Sequence, residues 1–260
     1  MTRGSDAVLR ALSGLVLLLG VATALLGIFW EPASAGPTPD LHGRGLYWRD
    51  TPFVAGGTLG SDVLSLLLIL PAGLWAVFRP ADVPRRLVLI VVQTWWLYLS
   101  ASLAFGAIAF NEAFVLYVAL MPLSLWALLL AMRALHFKTV PRGLPSYLIA
   151  AGLVTGLAWG LLLWLEMTSD AFPPAPYYTV RTTYAADLGL IAPGCIAAGI
   201  GIARHQPWAT RLGLPLLALA ALLLPMMAAQ TAMQLTIGVA FGPEAAAPFL
   251  GFGLISVGAA

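Results

Sequence analysis

Apolar residues in this chain come in long blocks separated by short polar stretches. Seven stretches carry no charged residue: Ala11–Trp30, Val63–Phe78, Leu87–Asn111, Ala113–Met132, Gly143–Leu165, Leu188–Ala203 and Leu212–Pro243. Most reach the ~20 residues that a ~30 Å hydrocarbon core demands of a helix. The pattern predicts an all-α fold, a polytopic transmembrane helix bundle forming one transmembrane domain over residues 1–260. Its helices are expected near 11–30, 58–78, 87–110, 113–132, 146–165, 183–203 and 212–238. The tail at 245–260 is apolar and Gly-rich but too short for an eighth span.

Composition agrees. Of 260 residues, 60% are hydrophobic and 9% charged, whereas a soluble domain carries about 25% charged residues. The mean hydropathy is +0.91. So little charge cannot cover a water-facing surface on all sides.

The net charge of +2 matters less than where its residues fall. With the N-terminus in the cytoplasm, Arg3, Arg10, Arg79, Arg85, Arg86, Arg133, Lys138, Arg142, Arg204 and Arg211 lie inside, and only Arg44, Arg49 and Arg181 lie outside. This positive-inside bias sets the orientation and, with an odd helix count, puts the C-terminus outside. It predicts a multi-pass protein of a bacterial cytoplasmic (inner) membrane. Residues 1–36 also read as a secretory signal ending in Ala33-Ser34-Ala35, but the apolar run is longer than a usual h-region, so a retained helix is expected. The basic clusters lack interleaved aromatics and are not a nucleic-acid surface. Cys195 is the single cysteine and reads as a buried thiol.

Two outer loops are long, Glu31–Ser61 and Glu166–Arg181, and their aromatics read mainly as interfacial anchors. Gly152, Gly156 and Gly160 form overlapping GxxxG steps in the fifth helix, a helix-packing face within the chain or between copies. A weak repeat at an offset of 125 residues pairs Asp62, Arg79 and Arg86 with Asp187, Arg204 and Arg211.

Ionisable groups at membrane depth are costly and mark functional sites. The uncharged runs after Asp62 and Asp187 are 16 residues each, about 24 Å of helix and short of the core. Each helix is therefore expected to extend outward past its Asp, drawing the carboxylate to the outer edge of the hydrocarbon. Glu112, Tyr98, Tyr184, Gln230 and Gln234 fall at similar depth. Together with the two aspartates they outline a candidate ligand or ion cavity open to the outer face. The competing reading makes the aspartates helix N-caps, with Ser61 as a rival cap. Pro71, Pro122, Pro193, Pro215 and Pro225 interrupt apolar spans, and Pro193-Gly194 follows Asp187 closely, where a break would free carbonyls near the acid.

Several chemistries lack their residues. His42, His136 and His205 lie in loops, so no haem axial pair is expected, and there is no HExxH zinc pair. Lys138, the sole lysine, is in a loop and cannot form an intramembrane Schiff base. Met226, Met227 and Met233 read as core filling rather than a copper site. No catalytic residue, metal ligand or cofactor is assigned.

The stretches Gly45–Asp50, Gly60–Asp62, Phe110–Val118, Asp187–Leu190 and Arg204–Trp208 resemble a group of uncharacterised bacterial polytopic membrane proteins. The resemblance implies no activity; it implies only that the two outer acids belong to a recurring pattern. The residues favour a small-solute, ion or proton carrier, or a ligand-binding protein, with an outward polar cavity. The alternatives are an accessory or scaffold subunit of a larger membrane complex, and a membrane enzyme using paired carboxylates, which lacks a nucleophile or metal set. The protein partner expected is a homo-oligomer's second copy or such a larger membrane complex. The lipid bilayer is the one partner that the composition itself requires.

Overall fold

A computed structural model describes residues 3–30, 45–47, 50–106, 111–133, 135, 140–168, 182–241 and 246–259. These residues contain helices and no strands. Seven helices are long and apolar enough to cross a membrane, so the chain is a multi-pass helical membrane protein. They are α1 (Arg3–Phe29), α2 (Pro52–Phe78), α3 (Val83–Phe105), α4 (Phe114–Arg133), α5 (Leu144–Thr168), α6 (residues 182–203) and α7 (Pro207–Thr236). The tail forms a shorter helix, α8 (Ala246–Ala259). Large apolar side chains such as Leu67, Phe78, Val115 and Leu157 are exposed on the spans, as lipid-facing surface requires.

Helix ends differ from the charge-free blocks for identifiable reasons. Thr51, not Asp62 or Ser61, caps α2: its hydroxyl accepts the Val54 amide, and Pro52 takes the first turn. Asp62 is therefore ten residues inside its helix, which corrects the capping alternative. Asp187 also lies inside a helix, after the turn Thr182–Ala186. α3 begins before Arg85 and Arg86 because the Asp82 carboxylate accepts the Arg85 amide at 2.8 Å. That bond also holds the exposed Asp82 carboxyl below its ordinary range.

α2 and α6 share an irregularity. Each contains a π-helical segment, Ser65–Ile69 in α2 and Asp187–Ile191 in α6. In each, the residue before a proline donates five positions back: Leu70 to the Ser65 carbonyl, Ala192 to the Asp187 carbonyl. Proline has no amide hydrogen, and its ring crowds the carbonyl four residues earlier. A widened turn ahead of Pro71 and Pro193 relieves that crowding, and such turns recur at functional sites. The segments start at residues 65 and 187, an offset of 122, and Leu66, Leu68, Ile69 and Pro71 then match Leu188, Leu190, Ile191 and Pro193. The repeat expected at 125 is thus out of register here, and the two aspartates are not equivalent: Asp62 precedes its π segment, whereas Asp187 opens its own.

The chain divides into two compact units, residues 1–104, 108–135 and 225–243, and residues 105–107, 136–224 and 244–260. In the first, α1 packs along α2 and α4. At one end Asp6 of α1 meets Arg85 of α3, and the Arg10 guanidinium donates to the Arg79 carbonyl. At the other end Leu46, Tyr47, Ala55, Leu59, Ala113 and Tyr117 form a buried core. In the second unit α5 packs against α6 over Leu148, Cys195, Ala198 and Ile202. Gly152 permits that approach, since a Cβ there would lie 2.6 Å from the Ala192 carbonyl oxygen. Gly156 has only ordinary contact and Gly160 faces open space, so the predicted glycine face is used at one of its three positions. α8 is tied in by the Tyr147 hydroxyl donating to the Ile255 carbonyl and the Ser256 hydroxyl donating to the Ala221 carbonyl.

Candidate functional site

Asp62 is the centre of the first unit's polar chemistry. Its residue is 0% exposed. The Tyr47 hydroxyl donates to Oδ2 at 2.7 Å, while Oδ1 has no hydrogen-bond partner among the described residues. No basic side chain pairs with it among the described residues; Asp6 and Asp82 do form ion pairs, with arginines. A buried carboxyl with one hydrogen bond and no cation is poorly compensated if charged.

Local sequence explains how Tyr47 gets there. Gly45–Tyr47 is one 3-10 turn, closed by the Asp50 amide donating to the Tyr47 carbonyl, and Thr51-Pro52 then starts α2. The turn lays the phenol back along α2 to a carboxyl 15 residues later. Gly27 of α1 supplies the room. A Cβ on Gly27 would overlap Asp62 Oδ2 and come within 2.7 Å of the Tyr47 oxygen. Burial, followed by the neighbouring Asp62, pushes the Tyr47 phenol up, so it remains a donor.

The polar chain continues from Tyr47 toward α4. Tyr117 of α4 interacts with Tyr47, and the Asn111 amide donates to the Tyr117 hydroxyl at 3.4 Å. Asn111 also accepts the Ala113 amide, which fixes the turn before α4. Asp50 lies beside this group, 7% exposed, and burial pushes its carboxyl up to about 7.

The Asp50 shift has a pH consequence. The folded protein favours the neutral acid, so folding is helped fully below the ordinary Asp value near 3.8 and loses that help as pH rises toward about 7. The melting temperature in detergent should fall between pH 5 and pH 8, and Asp50→Asn should flatten that slope. An unchanged slope in the variant would assign the dependence to another group.

Of the other predicted cavity residues, Gln230 and Gln234 join α2. The Gln230 amide donates to Ser61 Oγ at 3.0 Å, and the Gln234 amide to the Phe53 carbonyl at 2.8 Å. Glu112 is exposed in the turn where Asn111 points inward, and Tyr98 is half-buried on α3. Tyr184 and Asp187 belong to the second unit. There the Tyr184 ring lies 4.7 Å from Trp159, which lies 5.6 Å from Phe252, and Asp187 is buried. The loop aromatics at 172–178, Arg181, His42, His136 and Lys138 fall outside the described residues.

The sequence pattern does not single out Tyr47, Asp50, Tyr117, Asn111 or Gly27 as cavity residues. Its place in a long loop reads Tyr47 as an interfacial aromatic, and it is instead 2% exposed and bonded to the acid. Among the described residues no group of three His, Cys, Asp or Glu could hold a metal ion. Comparison with protein-family models, curated proteins and solved structures gives no match for this chain.

Proposed function

We propose that this protein carries protons across a bacterial cytoplasmic membrane, with Asp62 as the group that takes the proton at the outer end of the first unit. The observation that carries the reading is the Asp62 carboxyl itself: fully buried, held by one tyrosine hydroxyl, with its second oxygen free of any partner among the described residues. A proton satisfies that free oxygen. A metal cation would need several oxygen ligands, and the donors around Asp62 are sparse. Tyr117 interacts with Tyr47, and Asp50 acts electrostatically on Tyr117, so a second acid and a second phenol belong to the same polar group. The orientation follows from the basic residues, ten against three.

The test is proton uptake by proteoliposomes holding the full chain, followed with a pH-sensitive dye. Asp62→Asn preserves shape and removes the titrating group, and should lower uptake at least ~10-fold, in the range lost when a positioned acid or base is removed. Tyr47→Phe should lower it less. Full uptake by a well-folded Asp62→Asn protein would reject the reading.

A further inference from the structure

The first unit contains more buried polar atoms than its described side chains satisfy, and several of them belong to the facing sides of α1 and α3. On α1, Asp6, Ser13, Gly20 and Gly27 are spaced by seven and share a face. Three contacts fix where that face points. Asp6 meets the Arg85 guanidinium at 2.7 Å, a Cβ on Gly20 would lie 2.5 Å from the Trp96 ring, and Gly27 abuts Asp62. Along α1 and α3 between these points are buried groups with no hydrogen-bond partner among the described residues, Ser13 Oγ, both amide atoms of Gln93 and Trp96 Nε1; Thr94 Oγ1 on α3 and Ser124 Oγ on α4 are likewise without one. Gln93 and Trp96 are one turn apart on α3. Ser124 follows Tyr117 by seven on the buried stripe of α4, which packs on α1.

Each such atom, left dry, costs as much as a broken hydrogen bond, and runs of them along one seam are where proteins hold internal water. From Asp6 to Gly27 the seam runs about 32 Å along α1, close to the thickness of a hydrocarbon core. We infer that the first unit holds a file of water between Asp62 and the Asp6–Arg85 ion pair, and that a proton taken at Asp62 leaves through Asp6. The exit role rests on the proposed function; the water file does not.

Trp95 provides an internal control. Trp95 and Trp96 are each 1% exposed, but the Trp95 indole donates to Ser65 Oγ at 2.8 Å whereas the Trp96 indole nitrogen has no partner among the described residues. Radiolytic hydroxyl labelling of the full chain in lipid nanodiscs in ¹⁸O-water should label Trp96 several-fold faster than Trp95. Gln93→Leu, or Ser124→Ala if that variant does not fold, should bring Trp96 down toward Trp95. Either variant should also slow transmembrane proton flux several-fold while keeping the infrared carbonyl band of Asp62, which Asp62→Asn lacks. Equal labelling of the two tryptophans in a protein that moves protons would overturn the water file and leave the carrier reading intact. Fast Trp96 labelling in a protein that moves none would overturn the exit role and the carrier reading, and the water file would stand.

Discussion

Arg85→Met is expected to destabilise the first unit by about 3 kcal/mol, the low end of what removing one partner from a buried ion pair costs. Arg85 is 0% exposed, its Nη1 lies 2.7 Å from Asp6 Oδ1, and its Nε donates to the Ala76 carbonyl at 2.9 Å. One side chain therefore ties the start of α1, the end of α2 and the start of α3. Without it, Asp6 keeps a mostly buried carboxylate whose remaining ion pair among the described residues is with Arg10, at 3.7 Å and more exposed. The low end is chosen because the Asp6 side chain retains 20% of its exposure, so water recovers part of the loss. Asp6→Leu combined with Arg85→Met should regain most of the stability, since replacing both members of a buried pair with apolar groups is often neutral. SDS-titrated unfolding followed by circular dichroism gives both numbers. Equal losses in the single and double variants would show that the two charges are not coupled.

The same pair illustrates how a charge can hide a helix. The number and rough position of the seven spans were legible because lipid imposes a length and an apolar composition that leave little choice. Their ends were not. Excluding every charged residue from a span put the start of α3 after Arg86, although it begins at Val83 with Asp82 capping it. α2 starts at Pro52 rather than near 58 because Thr51 caps it and Pro52 fits its first turn, whereas Gly56 and Gly57 look like loop residues. Gly56 and Gly60 serve the helix because α7 comes close enough there to use their lack of side chains.

The candidate site was legible in part. Asp62 stood out because an acid followed by too short an apolar run must lie below the headgroups, and it is buried. Gln230 and Gln234 stood out by depth, and both bond to α2. What one chain in isolation does not reveal is a partner brought from a distant loop. Tyr47 reaches Asp62 through a turn whose geometry depends on Thr51 and Pro52, and Gly27 matters only because α1 happens to pass there. The spacing of Asp6, Ser13, Gly20 and Gly27 was visible in the sequence, but a face of two small glycines and two polar residues has no meaning until α3 is set against it.

Gly60→Ala is expected to cost at least ~3 kcal/mol, the upper range for overpacking a well-packed interior, and to do so through a packing motif hidden in the loop-like start of α2. Gly56 and Gly60 are four apart and ride on Gln234 and Gln230, also four apart, of α7. A Cβ on Gly60 would overlap the Gln230 Cα and come within 2.5 Å of the Gln230 nitrogen and the Ala229 carbonyl oxygen. These are backbone atoms of a helix, so no side chain can swing aside. The clash has to separate α2 from α7, and two bonds depend on that separation: Gln230 to Ser61 and Gln234 to the Phe53 carbonyl. Their loss adds to the steric cost, and it loosens the helix that presents Asp62. Gly57→Ala, whose Cβ would lie 3.5 Å from the Gln234 amide, and Gly160→Ala, which meets nothing within 4 Å, are the matched controls and should leave stability nearly unchanged. Thermal unfolding of the purified variants in detergent, with monodisperse yield after solubilisation, separates them. A Gly60→Ala protein as stable as the two controls would mean that α2 and α7 do not approach at these glycines, and the Ser61 and Phe53 contacts that frame the acid would fall with it.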